Sequence, residues 1–161
     1  MREKFKFLFI PLSIILFLSA CNSNENDVDL FQHKGSYVGD NSAVVNSIVN
    51  LQGANHFSGL ELQTKDEPYG ITVNYDWTKS QLDEQETVLN NASYLFTLLQ
   101  NVDWVSFHFD TEGEVNEYKI TRENLQESYG IELNDIENEE DLTNLIQNSL
   151  EDEESLNQLL N

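Results

Sequence analysis

Apolar and polar residues alternate with two different periods along this chain, and the two periods predict its helices and strands. At helical spacing, apolar side chains recur over residues 42–52, over 82–99 and from Leu142 to Leu160. A repeat of three to four residues marks one face of an α-helix. Alternation at every second residue, typical of half-buried strands, is found in four further segments. These are residues 60–64, 71–75, 105–109 and 115–120.

Turn and capping residues separate these segments. Asp40 or Asn41 is a suitable N-cap for the first helix, because a short side-chain oxygen accepts hydrogen bonds from the free amides of a first turn. Asp66–Pro68 breaks the alternation between the first two strands, and Asp110–Gly113 breaks it between the last two. Each pair of strands is therefore predicted to form a hairpin. Ser80, with an acid three residues later, is the predicted cap of the second helix.

The predicted fold class is α+β, with the elements in the order α-β-β-α-β-β-α. Two hairpins in one antiparallel sheet of about four strands, with helices packed on one face, would bury all the apolar stripes. Thr121 is also expected to cap a short helix at residues 122–129, which Gly130 ends.

The N-terminal segment has the pattern of a lipoprotein signal peptide. Residues 2–6 carry three bases and precede an apolar run over residues 7–18, which is shorter than the roughly 20 residues of a bilayer-spanning helix. The run ends in Leu-Ser-Ala-Cys, in which Cys21 is the only cysteine of the chain. We therefore expect cleavage before Cys21, acylation of its thiol by palmitate or related chains, and anchoring at the extracytoplasmic face of the cell membrane. The alternatives are a signal peptide without lipidation and an uncleaved anchor.

The chain is predicted to have four parts. Residues after the cysteine are polar and lack an apolar period, as a flexible spacer does. Because there is no second cysteine, no intramolecular disulfide forms and the apolar core alone must stabilise the domain. The parts are residues 1–20, a cleaved signal peptide; 21–29, a tether; 30–133, the α+β domain; and 134–161, an acidic amphipathic helical segment packed on the domain or extending from it.

The chain is strongly acidic, with 29 Asp and Glu against eight Lys and Arg and a formal charge of -21. Removal of residues 1–20 takes away three bases and one acid, which leaves a charge of -23. Nucleic acid is disfavoured as a partner, because phosphate binding requires a basic face.

Two loops marked by glycine or proline are candidate recognition surfaces. Residues 35–42 contain Tyr37, Asp40 and Asn41, and residues 66–70 contain Pro68 and Tyr69. Loops held by a rigid scaffold often carry binding residues, and aromatic side chains line grooves for peptides, glycans or proteins. The alternative is that these residues form structural turns and fill the core.

Catalytic and metal sites have only weak signals in the sequence. Ser36 lies between two glycines with His33 nearby, but the spacing is not that of a nucleophile elbow. His33, His56 and His108 are isolated, whereas zinc needs three or four convergent ligands. The acids at 137–141 and 151–154 lack the spacing of a calcium loop and are expected to form a solvated helix face. We therefore assign no catalytic residue, metal or cofactor.

Four segments resemble a known family. They are Tyr37–Ser42, Leu60–Thr64, Glu67–Tyr75 and Ile120–Leu125. Together they are similar to the bacterial domain-of-unknown-function family 4825, found in lipoproteins of low-GC Gram-positive bacteria. The resemblance covers residues 30–133. The family has no assigned activity, so the resemblance implies no catalytic residues. Similar domains fused to membrane sensors imply a signalling or partner-binding role.

The sequence as a whole favours a non-enzymatic, membrane-anchored extracytoplasmic domain. It would be tethered to lipid through Cys21 and would bind another envelope component or modulate a sensor. Two alternatives stay open. One is a hydrolase or other enzyme that uses an acid/base pair among Asp40, His33 and the carboxylates. The other is a cation-binding surface domain.

Overall fold

Four strands pair side by side in the order in which they occur along the chain, and the longest helix packs on one face of the sheet. The structure is a computed structural model that describes residues 28–160. The strands are β1 (Phe57–Gln63), β2 (Gly70–Asp76), β3 (Trp104–Thr111) and β4 (Glu114–Thr121). The α-helices are α1 (Asn41–Ile48), α2 (Glu84–Leu98), α3 (Arg122–Tyr129), α4 (Glu139–Leu150) and α5 (Glu153–Leu160). Short 3-10 turns occupy Leu30–His33, Ala54–His56 and Leu133–Asp135.

Both predicted hairpins are confirmed, but the prediction of an antiparallel sheet throughout is wrong. β1 pairs antiparallel with β2, and β3 pairs antiparallel with β4. The central pair is parallel, with Gly70 opposite Trp104 and Asp76 opposite Asp110. Between them, α2 carries the chain back to the end of the sheet at which β2 began. β2 and β3, which this crossover helix joins, therefore run in the same direction. The sheet is therefore mixed.

The predicted order of elements is correct through β4 and incomplete after it. α3 begins at the Thr121 cap, whose side chain accepts from the Asn124 amide, and it ends at Gly130, which has φ +69°. The capping prediction is confirmed at both ends. The apolar periodicity from Leu142 to Leu160 is divided between α4 and α5, because the chain turns at Glu151. The observed order is α-β-β-α-β-β-α-α-α.

Two helix boundaries differ from the prediction because local hydrogen bonds end or begin the helix. α1 stops at Ile48 instead of continuing to residue 52, and the chain then turns through Gly53, which has φ +77°. α2 is capped by Asp83, whose carboxylate accepts from the Glu86 amide at 2.9 Å. Ser80 instead accepts from the Leu82 amide in the preceding loop. Asp and Ser are equally good N-caps, so the point at which the backbone turns into the helix decides which of the two residues caps α2.

The core lies between one face of the sheet and the helices. Ile71, Val73 and Phe107 point to this face and are fully buried, as is Phe96 of α2. The segment after residue 133 contributes as well, since Leu142 of α4 is fully buried. Side chains on the opposite face of the sheet are mostly exposed or half-buried. The second face of the sheet, called here the open face, therefore meets solvent.

Two tyrosines have polar partners in or beside the core: Tyr75 is buried, and Tyr129 is half-buried against the core. Asn91 donates to the Tyr75 hydroxyl at 3.0 Å and to the Gln52 carbonyl at 2.8 Å. The hydroxyls of Ser93 and Tyr129 lie 2.6 Å apart. Burial raises the pKa of Tyr75 and that of Tyr129 to about 12, because the interior disfavours a phenolate. Both phenols must therefore stay neutral in the folded state.

We expect the free energy of unfolding to fall between pH 10 and pH 12. Unfolded tyrosines ionise near pH 10, whereas folded Tyr75 and Tyr129 hold their protons to a pKa of about 12. Over this window the folded state binds more protons, so stability falls as pH rises, by about 2–3 kcal/mol for each tyrosine. Urea denaturation at pH 9, 10, 11 and 12 measures the fall. Tyr129→Phe should make the fall smaller, and an equal fall in that variant would contradict the assignment.

Candidate functional site

Trp104 lies flat on the open face at the start of β3. Its indole covers Gly70 of the neighbouring strand so closely that a Cβ atom at Gly70 would lie 1.9 Å from the Cε2 atom of the ring. The indole Nε1 donates to the Pro68 carbonyl at 3.3 Å. A glycine at position 70 is therefore a steric requirement for this position of the ring. Gly70 and the Pro68 carbonyl together fix the orientation of a half-exposed aromatic platform.

A groove lies on each side of the platform, and Trp104 lines both. The larger, called here the Trp104 groove, has a volume of about 740 Å³ and separates the sheet from α3 and the turn that follows it. The smaller has a volume of about 670 Å³ and follows β1 and the loop after it. The Trp104 groove is lined by Asp103, Lys119, Glu123, Glu127 and Ile131, among others. Aromatic, cationic and anionic side chains thus meet in one concave surface.

Lys119 supplies a cation to the platform. Its Nζ lies 4.2 Å from the centre of the Trp104 ring, which is the geometry of a cation–π contact. The side chain is exposed, and it comes from β4, the strand next to that of Trp104. The indole therefore has Gly70 against its ring and the ammonium group of Lys119 over its ring.

Asp103 ties the loop before β2 to this site. Its carboxylate accepts from the Tyr69 amide at 2.6 Å, and its own amide donates to the Tyr69 carbonyl at 2.9 Å. Its carbonyl accepts from the amide of Arg122 at 2.8 Å. Three parts of the chain, distant in sequence, are thereby joined beside the platform. The loop with Pro68 and Tyr69 is thus fixed in place.

Arg122 lines the groove but directs its charge into the protein. The guanidinium donates to the carbonyls of Phe96, Leu99 and Val102, at and just beyond the end of α2. Free carbonyls at a helix C-terminus favour a cation, and the planar guanidinium reaches several of them at once. Burial lowers the pKa of Arg122, and the nearby charges of Asp103 and Glu132 oppose that shift. Little of this positive charge remains for a ligand in the groove.

The five predicted recognition residues do not form one site. The Pro68 carbonyl accepts from the Trp104 indole, and Tyr69 is hydrogen-bonded to Asp103, the residue before Trp104. Tyr37 is 56% exposed and lines neither groove. Asp40 caps α1 by accepting from the Ala43 amide at 3.1 Å, and Asn41 is the exposed first residue of that helix. The structure thus gives Asp40 a structural partner and leaves Tyr37 as an isolated exposed aromatic.

Ser36 and His33 make no side-chain hydrogen bond to each other among the described residues. The only link between them is the Ser36 amide, which donates to the His33 carbonyl at 3.1 Å. A serine nucleophile needs an imidazole within hydrogen-bond reach of its hydroxyl. The loop at residues 35–40 is instead held by backbone bonds to the end of α2, such as that from the Gly35 amide to the Leu98 carbonyl.

A second serine and histidine meet on the open face. The Ser106 hydroxyl donates to Glu117 at 3.0 Å and lies 3.3 Å from the Nε2 atom of His108. The same Glu117 oxygen lies 3.5 Å from that Nε2 atom. In a catalytic triad the acid holds the other ring nitrogen. Ser106 is also 2% exposed. The arrangement therefore acts as a cross-strand polar network.

Two of the four acidic residues at 137–141 have structural partners. Glu139 accepts from the Tyr94 hydroxyl at 2.7 Å, and Asp141 accepts from the Asn138 side chain at 2.7 Å. Both lie in the first turn of α4, where negative charge is favoured by the helix dipole. Among the side chains that the structure describes, those of residues 28–152 and 156–160, no three His, Cys, Asp or Glu converge as a metal site requires.

The excess of acids should make stability depend on salt. The chain has 29 Asp and Glu against eight Lys and Arg, so like charges repel in the folded state. Raising NaCl from 0.02 to 0.5 M screens this repulsion and is expected to raise the melting temperature by about 3–5 °C. Calorimetry measures the melting temperature, and glucose at equal osmolality is the control. A melting temperature that NaCl leaves unchanged or lowers would contradict screening of repulsion between the acids. A comparable rise with micromolar calcium alone would contradict it as well.

The predicted lipidation site at Cys21, its signal peptide and most of the tether lie outside the described residues. Over residues 28–160, none of the helices combines the length and the apolar character needed to cross a bilayer.

Sequence reasoning predicted Pro68 and Tyr69 but missed the contacts that build this site. The alternation of apolar residues places Trp104 on the strand face opposite Val105, but its contact with Gly70 joins residues far apart in the chain. The sequence pattern marks Lys119 only as a polar position in the strand at residues 115–120, and Arg122 only as the first residue of the helix at residues 122–129. A glycine at the beginning of a strand was the available signal, because it indicates close approach of another group.

Comparison with known proteins gives a family and nothing finer. No curated protein and no solved structure matches the chain. A family model described as a domain of unknown function (DUF4825) matches residues 30–121. This range contains α1, the whole sheet and α2, together with Gly70, Trp104 and Lys119. It is more than half of the chain, so the protein belongs to the DUF4825 family.

Proposed function

We propose that this protein is a lipid-anchored, extracytoplasmic binding module that recognises an envelope partner through the surface around Trp104 and catalyses no reaction. The observation that carries the proposal is the platform itself. A half-exposed indole lies flat over Gly70 on an uncovered sheet face, between two grooves. Aromatic residues fixed in a groove contribute binding energy at a low entropic cost.

The anchoring part of the proposal rests on the sequence. The basic residues at 2–6, the apolar run and the Leu-Ser-Ala-Cys signal support acylation of Cys21 in a bacterial lipoprotein of Gram-positive origin. Two or more acyl chains give stable anchoring. The partner would be an envelope protein or the extracytoplasmic part of a membrane sensor, which this module would modulate. The negative charge of the chain disfavours nucleic acid.

The partner-binding proposal is tested by crosslinking in the native cells. The lipidated protein, Trp104→Ala, Tyr37→Ala and Val115→Ala are expressed at equal levels, crosslinked and purified, and captured proteins are identified by mass spectrometry. Val115 is a matched control, since it is 55% exposed and lies in β4 beyond the residues that line the grooves. Trp104→Ala should lose a partner that wild type and Val115→Ala both capture.

The Tyr37→Ala variant distinguishes the two loops that the sequence predicts as recognition surfaces, residues 35–42 and residues 66–70. Loss of the partner with Tyr37→Ala, but not with Trp104→Ala, would place recognition in the loop at residues 35–42 and overturn the proposal. Equal capture by all four proteins would overturn it too. Melting temperatures of the variants, measured on the purified proteins, show whether any loss reflects unfolding.

A further inference from the structure

Charge and shape together indicate what the Trp104 groove binds. On its helical side, Glu123 and Glu127 are exposed and lie four residues apart on α3. Side chains at this spacing share one helix face, with roughly 5–6 Å between their Cβ atoms. Both line the groove. Two adjacent carboxylates therefore face the sheet across from Trp104.

The other charges of the groove are already engaged. The guanidinium of Arg122 donates to three carbonyls of its own chain. The Asp103 carboxylate accepts from the Tyr69 amide, and the Glu132 carboxylate accepts from Gln126 at 2.7 Å. Among the charged residues that line the groove, the exposed carboxylates of α3 and the ammonium of Lys119 remain for a ligand.

Lys119 shows which chemistry the platform accepts. Its ammonium lies 4.2 Å from the ring centre. An arginine suits such a position better than a lysine does, because the guanidinium is planar, stacks on an indole and is more weakly hydrated. The long exposed side chain of Lys119 can move aside without disturbing the core.

Resting on the proposed function, we propose that the occupant of the Trp104 groove is a basic, arginine-containing polypeptide segment of the partner. An arginine of this segment displaces Lys119 from the indole, and its neighbouring bases pair with Glu123 and Glu127. Charge complementarity supports this occupant. A chain with a formal charge of -21 attracts cationic segments at long range, and the groove supplies the specific contacts.

The test uses the two tryptophans as built-in reporters. The full mature chain with Cys21→Ser is labelled with ¹⁵N at its indoles and titrated with a nine-residue peptide in which four arginines are spaced by glycine and serine. The Trp104 indole signal should shift, whereas that of Trp77 should not, since Trp77 is buried and packs against Phe109. A peptide with four lysines should bind about threefold more weakly.

Matched variants separate the groove from general attraction between opposite charges. Glu123→Gln/Glu127→Gln should weaken peptide binding about fivefold to tenfold, the effect of two exposed ion pairs. Glu114→Gln/Glu140→Gln changes the net charge equally at exposed sites outside the groove and should weaken binding less than twofold. Lys119→Gln should tighten binding about threefold because it removes the competing cation, whereas Lys79→Gln, at the other end of the sheet, should not.

Three results would overturn the basic-segment proposal. They are no shift of Trp104, an equal loss in both glutamate pairs, and a shift of Trp104 with a neutral oligosaccharide but not with the arginine peptide. If one of these results is found but Trp104→Ala still loses the partner in cells, only the basic-segment proposal is wrong. If Trp104→Ala also captures the partner as wild type does, the proposed function is wrong as well.

Discussion

Replacing Arg122 by alanine is expected to lower the free energy of unfolding by about 3 kcal/mol, because it removes the donors of several partly buried carbonyls at once. The guanidinium contacts Phe96, Leu99 and Val102 and also lies 5.2 Å from the ring of Phe96. Without it, the C-terminal end of α2 loses its cap and its favourable charge. Urea denaturation followed by circular dichroism measures the change.

Two further variants show whether the effect comes from geometry or from charge. Arg122→Lys keeps the charge, but one ammonium cannot reach the same three carbonyls, so we expect about half of the loss. Lys79→Ala removes an exposed base and should change stability by less than about 0.5 kcal/mol. If Arg122→Ala is as stable as Lys79→Ala, Arg122 does not stabilise the end of α2.

Replacing Gly70 by alanine is expected to expel Trp104 from its platform and abolish partner capture. The new Cβ atom would lie 1.9 Å from the indole Cε2, much closer than two carbon atoms can approach. The ring must therefore leave its position, which also breaks the bond from Nε1 to the Pro68 carbonyl. We expect a loss of about 1–3 kcal/mol in stability. The chemical shift of the Trp104 indole reports the displacement.

Gly59→Ala is the matched control for this change. Gly59 also lies in a strand, and a Cβ atom there would meet only the Asn74 side chain, at 3.9 Å, an ordinary contact. This variant should keep the Trp104 indole signal and the partner. If Gly70→Ala leaves the indole signal in place, the Trp104 ring does not lie against the backbone of Gly70. If it moves the ring and leaves capture unchanged, the platform is not the binding site.

The sequence alone predicts the elements of this fold better than their pairing. Alternation locates all four strands, and Thr121 and Gly130 mark the ends of α3 because capping depends on neighbouring residues. The parallel pairing of β2 with β3 could not be predicted in this way. Parallel strands usually read as continuous apolar runs, but these two are buried mainly on one face, and their apolar residues alternate as in antiparallel strands. The helix between them was the remaining signal.

The candidate site is less predictable than the fold, because contacts between distant residues build it. Pro68 and Tyr69 were predicted as recognition residues from local composition, and the structure places them next to Trp104. That Gly70 must be a glycine depends on a tryptophan in another strand. The role of Arg122 likewise depends on where α2 ends. Such relations require the register of the sheet, which alternation does not supply.

Site-specific photo-crosslinking in the native cells shows whether the partner binds at the Trp104 groove. A photo-reactive phenylalanine analogue is placed at Ile131, an exposed residue that lines the Trp104 groove, or at Glu114, at the opposite end of the sheet. We expect illumination to link one envelope partner to position 131 and not to position 114, and we expect Gly70→Ala to remove this product. A partner linked at position 114 alone, or a product at position 131 that Gly70→Ala leaves unchanged, would contradict the proposed function.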